Sequence, residues 1–296
     1  MLTIVIPIIR FNHFSRLMMH NLGQIDTIYE NLRFLFAVAD NSIKEELEGI
    51  IVGFTNKYKI YVANSTSSNK LRSYCLKATT PYIYFHDCDD WADYALLNKI
   101  CSEHNIGDSI YCLNVLKRHY NAEGELCADD IVLFNIPNGD ITNICNVPTC
   151  IYSKIIPIKY LHAIEFPNLP YTQDWAISYQ LYPLAPHIFD NRVSYTYNNY
   201  DTSSSHRRHD TPYRVKRVAA YSRVITRKME SIGLRYEADF LRCKYNIDLC
   251  YRFRNIGIYI APSFPTLRTL YKATNRRRAS MLYRCLQNTV YYIIKR

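Results

Sequence analysis

Four short apolar runs alternate with amphipathic or polar stretches through residues 2–85, and this alternation constrains the fold more than any other feature of the chain. Leu2–Ile8 (LTIVIPI) is a β-branched run ended by Pro7 and predicts a buried strand. Ser15–Leu32 places Leu17, Met18, Leu22, Ile25, Ile28 and Leu32 at helical spacing. Phe34–Ala39 predicts a second strand, Ile43–Phe54 a charged amphipathic helix, Tyr58–Val62 a third strand and Tyr82–Phe85 a fourth. Strand–helix–strand–helix–strand order is the signature of an α/β sheet with parallel neighbours. Ligands of such sheets bind beyond the carboxyl ends of the strands. Asp40 follows the second strand and Asp87-Cys88-Asp89-Asp90 follows the fourth, so both fall at that end.

The later chain predicts a strand over Ser109–His119, an irregular Pro- and Asn-rich region to about residue 170, a short helix over Gln173–Leu184 and a closing strand over His187–Tyr197. After the polar run Asp201–Asp210 the character changes. Residues 206–296 hold 21 Lys and Arg against 5 Asp and Glu, whereas the rest of the chain is net acidic. Thr211 with Pro212 makes a helix start and Gly233 a stop. A catalytic domain over 1–205 and a basic, mainly helical extension over 206–296 are therefore expected. Such charge asymmetry calls for an anionic partner. The ten cysteines form no CxxC pair and no zinc-spaced cluster with His. No secretory signal opens the chain, so free thiols in a reducing cytoplasm are expected. No apolar stretch approaches the roughly 20 residues of a spanning helix.

The sharpest chemical feature is the Asp87-Cys88-Asp89-Asp90 cluster. Its three carboxylates repel one another unless water or a cation neutralises them. Magnesium and manganese take oxygen ligands and commonly bridge one or two carboxylates to substrate phosphates. The alternative is a polar loop in which Asp90 caps a helix starting near Trp91. Asp174, in Pro-Tyr-Thr-Gln-Asp-Trp, stands in the first turn of a predicted helix, where a carboxylate also serves as a dipole partner. Its neighbours Tyr171 and Trp175 offer flat faces for a sugar ring and are equally ordinary core residues.

These elements in this order resemble the inverting family-2 glycosyltransferases of the GT-A fold, which build bacterial surface polysaccharides. The carriers are the opening Thr3–Pro7 (TIVIP), Asp40 after the second strand, the strand that runs into Asp87–Asp90 as D-x-D-D, Gln173-Asp174 in place of the family's E-D pair, and the Tyr- and Ser-rich Tyr195–Ser205. The resemblance spans about residues 1–205. Departures are Ile8-Ile9-Arg10 after Pro7, Gln173 for the usual glutamate, and Asn199 or Tyr200 where some members have a late histidine.

The resemblance implies a Rossmann-like mixed sheet of the nucleotide-diphospho-sugar transferase type and a sugar donor linked to a nucleoside diphosphate, most often UDP. It further implies Mn2+ or Mg2+ held by Asp89 with Asp87, Asp174 as the general base, and donor contacts from Pro7, Asp40, Lys70 or Arg72, and Asp87. Trp175, Tyr171 and Trp91 are expected on the acceptor side, with a glycan or lipid-linked acceptor, and the Cys145–Cys150 segment is expected to help shape the donor-sugar pocket. The stripe Met281, Leu282, Cys285, Leu286, Thr289, Val290, Ile293 and Ile294 with flanking Arg and Lys predicts either an interfacial helix on anionic lipid or a helix packed on the catalytic domain. A peripheral enzyme at the inner face of the cell membrane follows from the first reading, with no nucleic acid expected as partner. A nucleotidyltransferase is the nearest rival, yet Leu2–Ser15 contains none of the glycines of its phosphate loop. A nucleic-acid-binding protein would explain the basic tail and leave the Asp cluster without a purpose.

Overall fold

The structure, a computed structural model, describes residues 1–103, 106–121, 125–132, 150–169, 173–200 and 212–235, with 238, 239, 241, 242 and scattered positions of 282–293. Its elements run β1 (Leu2–Ile8), α1 (His13–Gly23), β2 (Leu32–Val38), α2 (Asn41–Ile50), β3 (Tyr58–Val62), α3 (Ser68–Arg72), a 3-10 turn (Ser73–Lys77), β4 (Tyr82–Phe85), β5 (Trp91–Ala92), α4 (Tyr94–Glu103), β6 (Ile110–Tyr120), β7 (Leu126–Val132), β8 (Lys154–Pro157), α5 (Ile158–His162), α6 (Gln173–Leu181), β9 (His187–Tyr200) and α7 (Pro212–Ser231).

The strands form one mixed sheet in the order β3-β2-β1-β4-β8-β6-β9-β5, with β7 paired to β6. β1, β2, β3 and β4 are mutually parallel, β8 runs antiparallel to both β4 and β6, and β9 is parallel to β6. The expected α/β class with a mixed sheet is what the chain forms. Both faces of the central strands are covered, which is why β1 reads as one continuous apolar run. On one face Leu2, Ile4, Ile6 and Ile8 pack with Phe34, Phe36 and Val38 beneath residues of α1, α2 and α4. On the other, Val5, Leu35, Ala37, Ile83 and Phe85 pack with Leu71, Cys75, Leu161 and Ile177.

Pro7 sits inside a central strand without cost. Val5 O accepts from His86 N at the end of β4, so β1 residues of Val5's parity face β4. Pro7 shares that parity, and β4 has already ended beside it, so its missing N–H forfeits no ladder bond. The gap opened there is where the Asp87–Asp90 segment leaves the sheet.

Several predicted boundaries shift. The first helix was expected to run to Leu32 but stops at Gly23, where a Cβ would lie 3.0 Å from Ile50 O and 3.2 Å from Ile51 Cα. Residues 24–31 then form an irregular connection in which Tyr29 N donates to Asn56 Oδ1 at 2.8 Å. β2 therefore starts at Leu32, α6 ends at Leu181, and β9 continues to Tyr200. Asp90 does not cap a helix: Trp91–Ala92 is a short strand on β9, and Asp93 Oδ1 accepts from Leu96 N at 2.9 Å in α4 instead.

The chain divides into two compact units, one of Met1–Gly139, Thr149–Asn168 and Gln173–Arg207, the other of Asp140–Pro148, Leu169–Thr172 and Arg208–Arg296. All nine strands among the described residues belong to the first. In the second, α7 begins at Pro212 and buries Val218, Ser222, Ile225 and Met229, one stripe of a 3.6-residue period. It ends as Leu234 N donates to Met229 O and Gly233 takes φ of 86°, a left-handed stop suited to glycine. Among the described residues no helix is long and apolar enough to cross a membrane.

Candidate active site

Beyond the carboxyl ends of β1 and β4 lies a cavity of about 270 Å³, lined among others by Pro7, Arg10, Asn12, Phe14, Arg72, Asp87, Asp89, Asp90, Asn198 and Tyr200. Local chain chemistry fixes its rim. Asn12 begins α1 through a reciprocal capping box, its Oδ1 accepting from Ser15 N at 2.8 Å while Ser15 Oγ accepts from Asn12 N at 2.7 Å. Ser67 Oγ caps α3 at Lys70 N, and that short helix delivers Arg72 inward.

Arg72 organises the site. Its Nη1 donates to Asp174 Oδ1 at 2.5 Å, and its Nη2 donates to Asp87 Oδ1 at 2.8 Å and to Oδ2 at 3.2 Å. The guanidinium is 5% exposed, whereas the two carboxylates keep 29% and 32%. One buried cation thus gathers two carboxylates from α6 and the end of β4, positions 102 and 15 residues away in sequence. Burial works against its charge, but Asp174 and Asp87 outweigh it and push the Arg72 pKa up. Burial pushes the Asp174 carboxyl above the ordinary range, against the pull of Arg72. A carboxylate so raised is a better proton acceptor than a solvated one. Asp174 Oδ2 has no hydrogen-bond donor among the described residues.

The last carboxylate of D-x-D-D is structural. Asp90, 1% exposed, accepts from Tyr195 Oη at 2.6 Å and Asn198 N at 2.8 Å. Burial and the neighbouring Asp89 and Asp87 charges hold its pKa well up despite those bonds. Tyr195 Oη also accepts from Asp87 N at 3.1 Å, and Asn198 Nδ2 donates to Asp89 O at 2.9 Å. Beneath them His86, buried and pushed down to about 4 by that burial, lies between Tyr94 Oη at 3.0 Å and Asp90 O at 3.2 Å. β9 and α4 therefore clamp the whole segment and aim Asp87 and Asp89 at the cavity.

Asp89 is the unbalanced charge. Burial and the Asp87 carboxylate push it up to about 6, and among the described residues no basic side chain comes within ion-pair distance of it. An acidic pair, one member neutralised by Arg72 and the other not, fits a divalent ion that takes its remaining oxygens from water and a diphosphate. Among the described residues no cluster of three His, Cys, Asp or Glu could hold a metal by itself.

The other expected residues divide. Asp40 stands exposed after β2, its Oδ1 spent on capping α2 at Ile43 N, 3.0 Å away. Pro7 lines the cavity, and Lys70 is exposed on α3 outside its lining. Trp91, expected on the acceptor side, stands on β5, edge-on to Tyr94 and lining a different cavity of about 340 Å³ with Tyr29 and Asp93. Tyr171, the Trp175 side chain and residues 145–149 lie outside the described residues. Of the late-histidine substitutes, Tyr200 reaches the cavity and stacks on Phe14 at 3.5 Å, while Asn199 Nδ2 turns to His119 Nδ1 at 3.1 Å. On β9, hydrogen bonds from Arg192 and Tyr111 overcome the partial burial of Asp190 and hold its carboxyl down to about 2. Arg10, Tyr195 and Asn198 were missed. The first looked like a departure from a pattern, and the others lie more than 100 residues from the carboxylates they hold.

The fold is that of the GT-A, nucleotide-diphospho-sugar transferase type. The chain matches no family model and no curated protein. Among solved structures, residues 1–349 of TarS from S. aureus, in complex with UDP-GlcNAc, share the fold at 13% identity and a TM-score of 0.58, over 98% of this chain and 89% of that one. The same TarS segment without ligand matches at 14% identity and 0.58, over 98% and 88%. The mannosyltransferase PcManGT from Pyrobaculum calidifontis, in complex with GDP-Man and Mn2+, matches at 10% identity and 0.51, over 99% and 86%.

Proposed function

We propose that this chain is an inverting glycosyltransferase that moves a sugar from a UDP-linked donor to a glycan or lipid-linked acceptor in bacterial surface polysaccharide synthesis. One observation carries the reading: Arg72 draws Asp174 and Asp87 to one cavity at the carboxyl ends of the strands, beside the uncompensated Asp89. The fold shared with proteins bound to UDP-GlcNAc and GDP-Man supports a nucleotide-sugar donor.

In this reading Asp89, with Asp87 behind it, holds Mn2+ or Mg2+, which when bound supplies Lewis-acid neutralisation of the leaving diphosphate. Asp174 takes the acceptor hydroxyl proton on its free Oδ2 as that oxygen attacks the anomeric carbon. Arg72 fixes the direction of that carboxylate, so attack comes in line with the leaving group and the configuration inverts. Pro7 and Arg10 border the donor, Asp40 meets the base through the carboxylate oxygen not used in capping, and Lys70 adds charge at the rim.

The basic extension belongs to the same proposal. Leu282, Leu286, Val290 and Ile293 are 36%, 59%, 53% and 69% exposed, an apolar stripe among basic residues that suits the inner face of an anionic membrane. Incubating the protein with Mn2+ and a panel of nucleotide sugars tests the donor assignment. Hydrolysis of one UDP-sugar, stopped by chelator, is the expected result; no hydrolysis and no binding of any member would contradict it.

A further inference from the structure

A further cavity, of about 230 Å³, opens at the other end of the sheet, and the charged residues that line it are of one sign. Arg33, Lys57, Lys59 and Lys77 border it together with Thr3, Tyr58 and Thr79, and no carboxylate does. Register explains the convergence. Thr3 pairs with Arg33 and Leu35 with Lys59, so these side chains share one face of β1, β2 and β3, and Lys77 ends the 3-10 turn that covers that face. Thr3 and Pro7 lie on the same face of β1, four residues or about 13 Å apart. The basic cavity and the carboxylate cavity thus occupy opposite ends of one sheet face.

The cations here are unspent. Among the described residues none of the four lies within 4.0 Å of a carboxylate, although seven other surface lysines and arginines do. Arg33 is held in place by carbonyls: Nη1 donates to Glu30 O at 2.9 Å and Leu32 O at 2.6 Å. A guanidinium fixed by neutral oxygens keeps its full charge and a preset direction. Lysines on β3, the edge of the sheet, also discourage edge-to-edge pairing. That role covers Lys57 and Lys59; it gives no reason for Arg33 on an inner strand or Lys77 on the covering turn to meet them.

We propose that this cavity binds a phosphate group. Three ammonium groups and an oriented guanidinium match the charge and several acceptor oxygens of a phosphate, and the Thr79 hydroxyl adds a neutral donor. The assignment is independent of sugar transfer in the other cavity.

Two probes on the full chain test it. Inorganic phosphate is titrated by calorimetry, and sedimentation is measured with phosphatidylcholine vesicles with and without phosphatidylglycerol. Both use wild type, the variant carrying Lys57→Gln, Lys59→Gln and Lys77→Gln, and the same three positions changed to Arg. The basic extension is present in all three and contributes equally. Loss of three charges should weaken binding by about tenfold or more, with the Arg variant near wild type and all three melting alike. A drop confined to phosphate titration identifies a soluble phosphate ester as the ligand; a drop confined to phosphatidylglycerol vesicles identifies a lipid headgroup. Equal behaviour of wild type and the Gln variant in both arms would overturn the proposal and leave the lysines as edge protection.

Discussion

Replacing Arg72 by Met keeps the apolar stem and deletes the charge that two carboxylates share. The Arg72 side chain is 5% exposed, and removing its charge deprives Asp87 and Asp174 of the cation they share. Breaking a fully buried pair costs about 3–5 kcal/mol. Both carboxylates keep about a third of their exposure and so retain some hydration, which places the expected loss at about 2–4 kcal/mol. The pH dependence is specific. Asp174 is already above its ordinary pKa through burial, and Arg72 is what pulls it down. Without that pull the folded state binds more protons than the unfolded chain in the acid range, so the stability deficit should shrink as pH is lowered from about 7.5 to about 5. Urea denaturation followed by tryptophan fluorescence at both pH values measures this, and Arg72→Lys should recover only part because one ammonium cannot fork between two partners. A loss below about 0.5 kcal/mol, or a deficit that grows on acidification, would refute the assignment of Arg72 as the shared counter-ion.

Tyr195→Phe removes one donor to Asp90 and the acceptor of Asp87 N–H, so it should cost about 1–3 kcal/mol in the same denaturation assay. Gly23→Ala sets a Cβ 3.0 Å from Ile50 O, backbone that cannot swing aside, and should destabilise by about 1–3 kcal/mol, read as a lowered urea midpoint. Mn2+ should raise the melting temperature at about pH 7.5 and much less at about pH 5.5, because below about 6 a cation must first displace the proton on Asp89. Asp89→Asn should abolish that rise at both pH values, and an unchanged rise in the variant would remove Asp89 from the metal site.

β1 and β4 were legible because each is a short, largely buried apolar run, and β3 because its Tyr, Ile and Val favour a strand even on the half-exposed edge of the sheet. α1 was read too long because Ile25, Ile28 and Leu32 continue its period; the close approach of Gly23 to Ile50 that ends it is a tertiary contact. β5 and β8 are two and four residues long, too short to carry a period, and both exist through pairing with distant strands. In the site, the carboxylates and their end of the sheet were visible, but their division of labour was not. Asp87, Asp89 and Asp90 look alike in sequence. Arg72 pairs with the first as it does with Asp174, Tyr195 and Asn198 make the third structural, and the second has no basic partner among the described residues.

Asp174→Asn tests the central claim most directly. The amide keeps the size of the side chain and can still accept from Arg72 through its oxygen, but it cannot take a proton. If Asp174 is the general base, nucleotide binding measured by titration should stay near wild type while sugar transfer by the same preparation falls by about 10²–10⁴-fold. Undiminished transfer with a lowered melting temperature would contradict the account, leaving Asp174 as no more than the partner of Arg72.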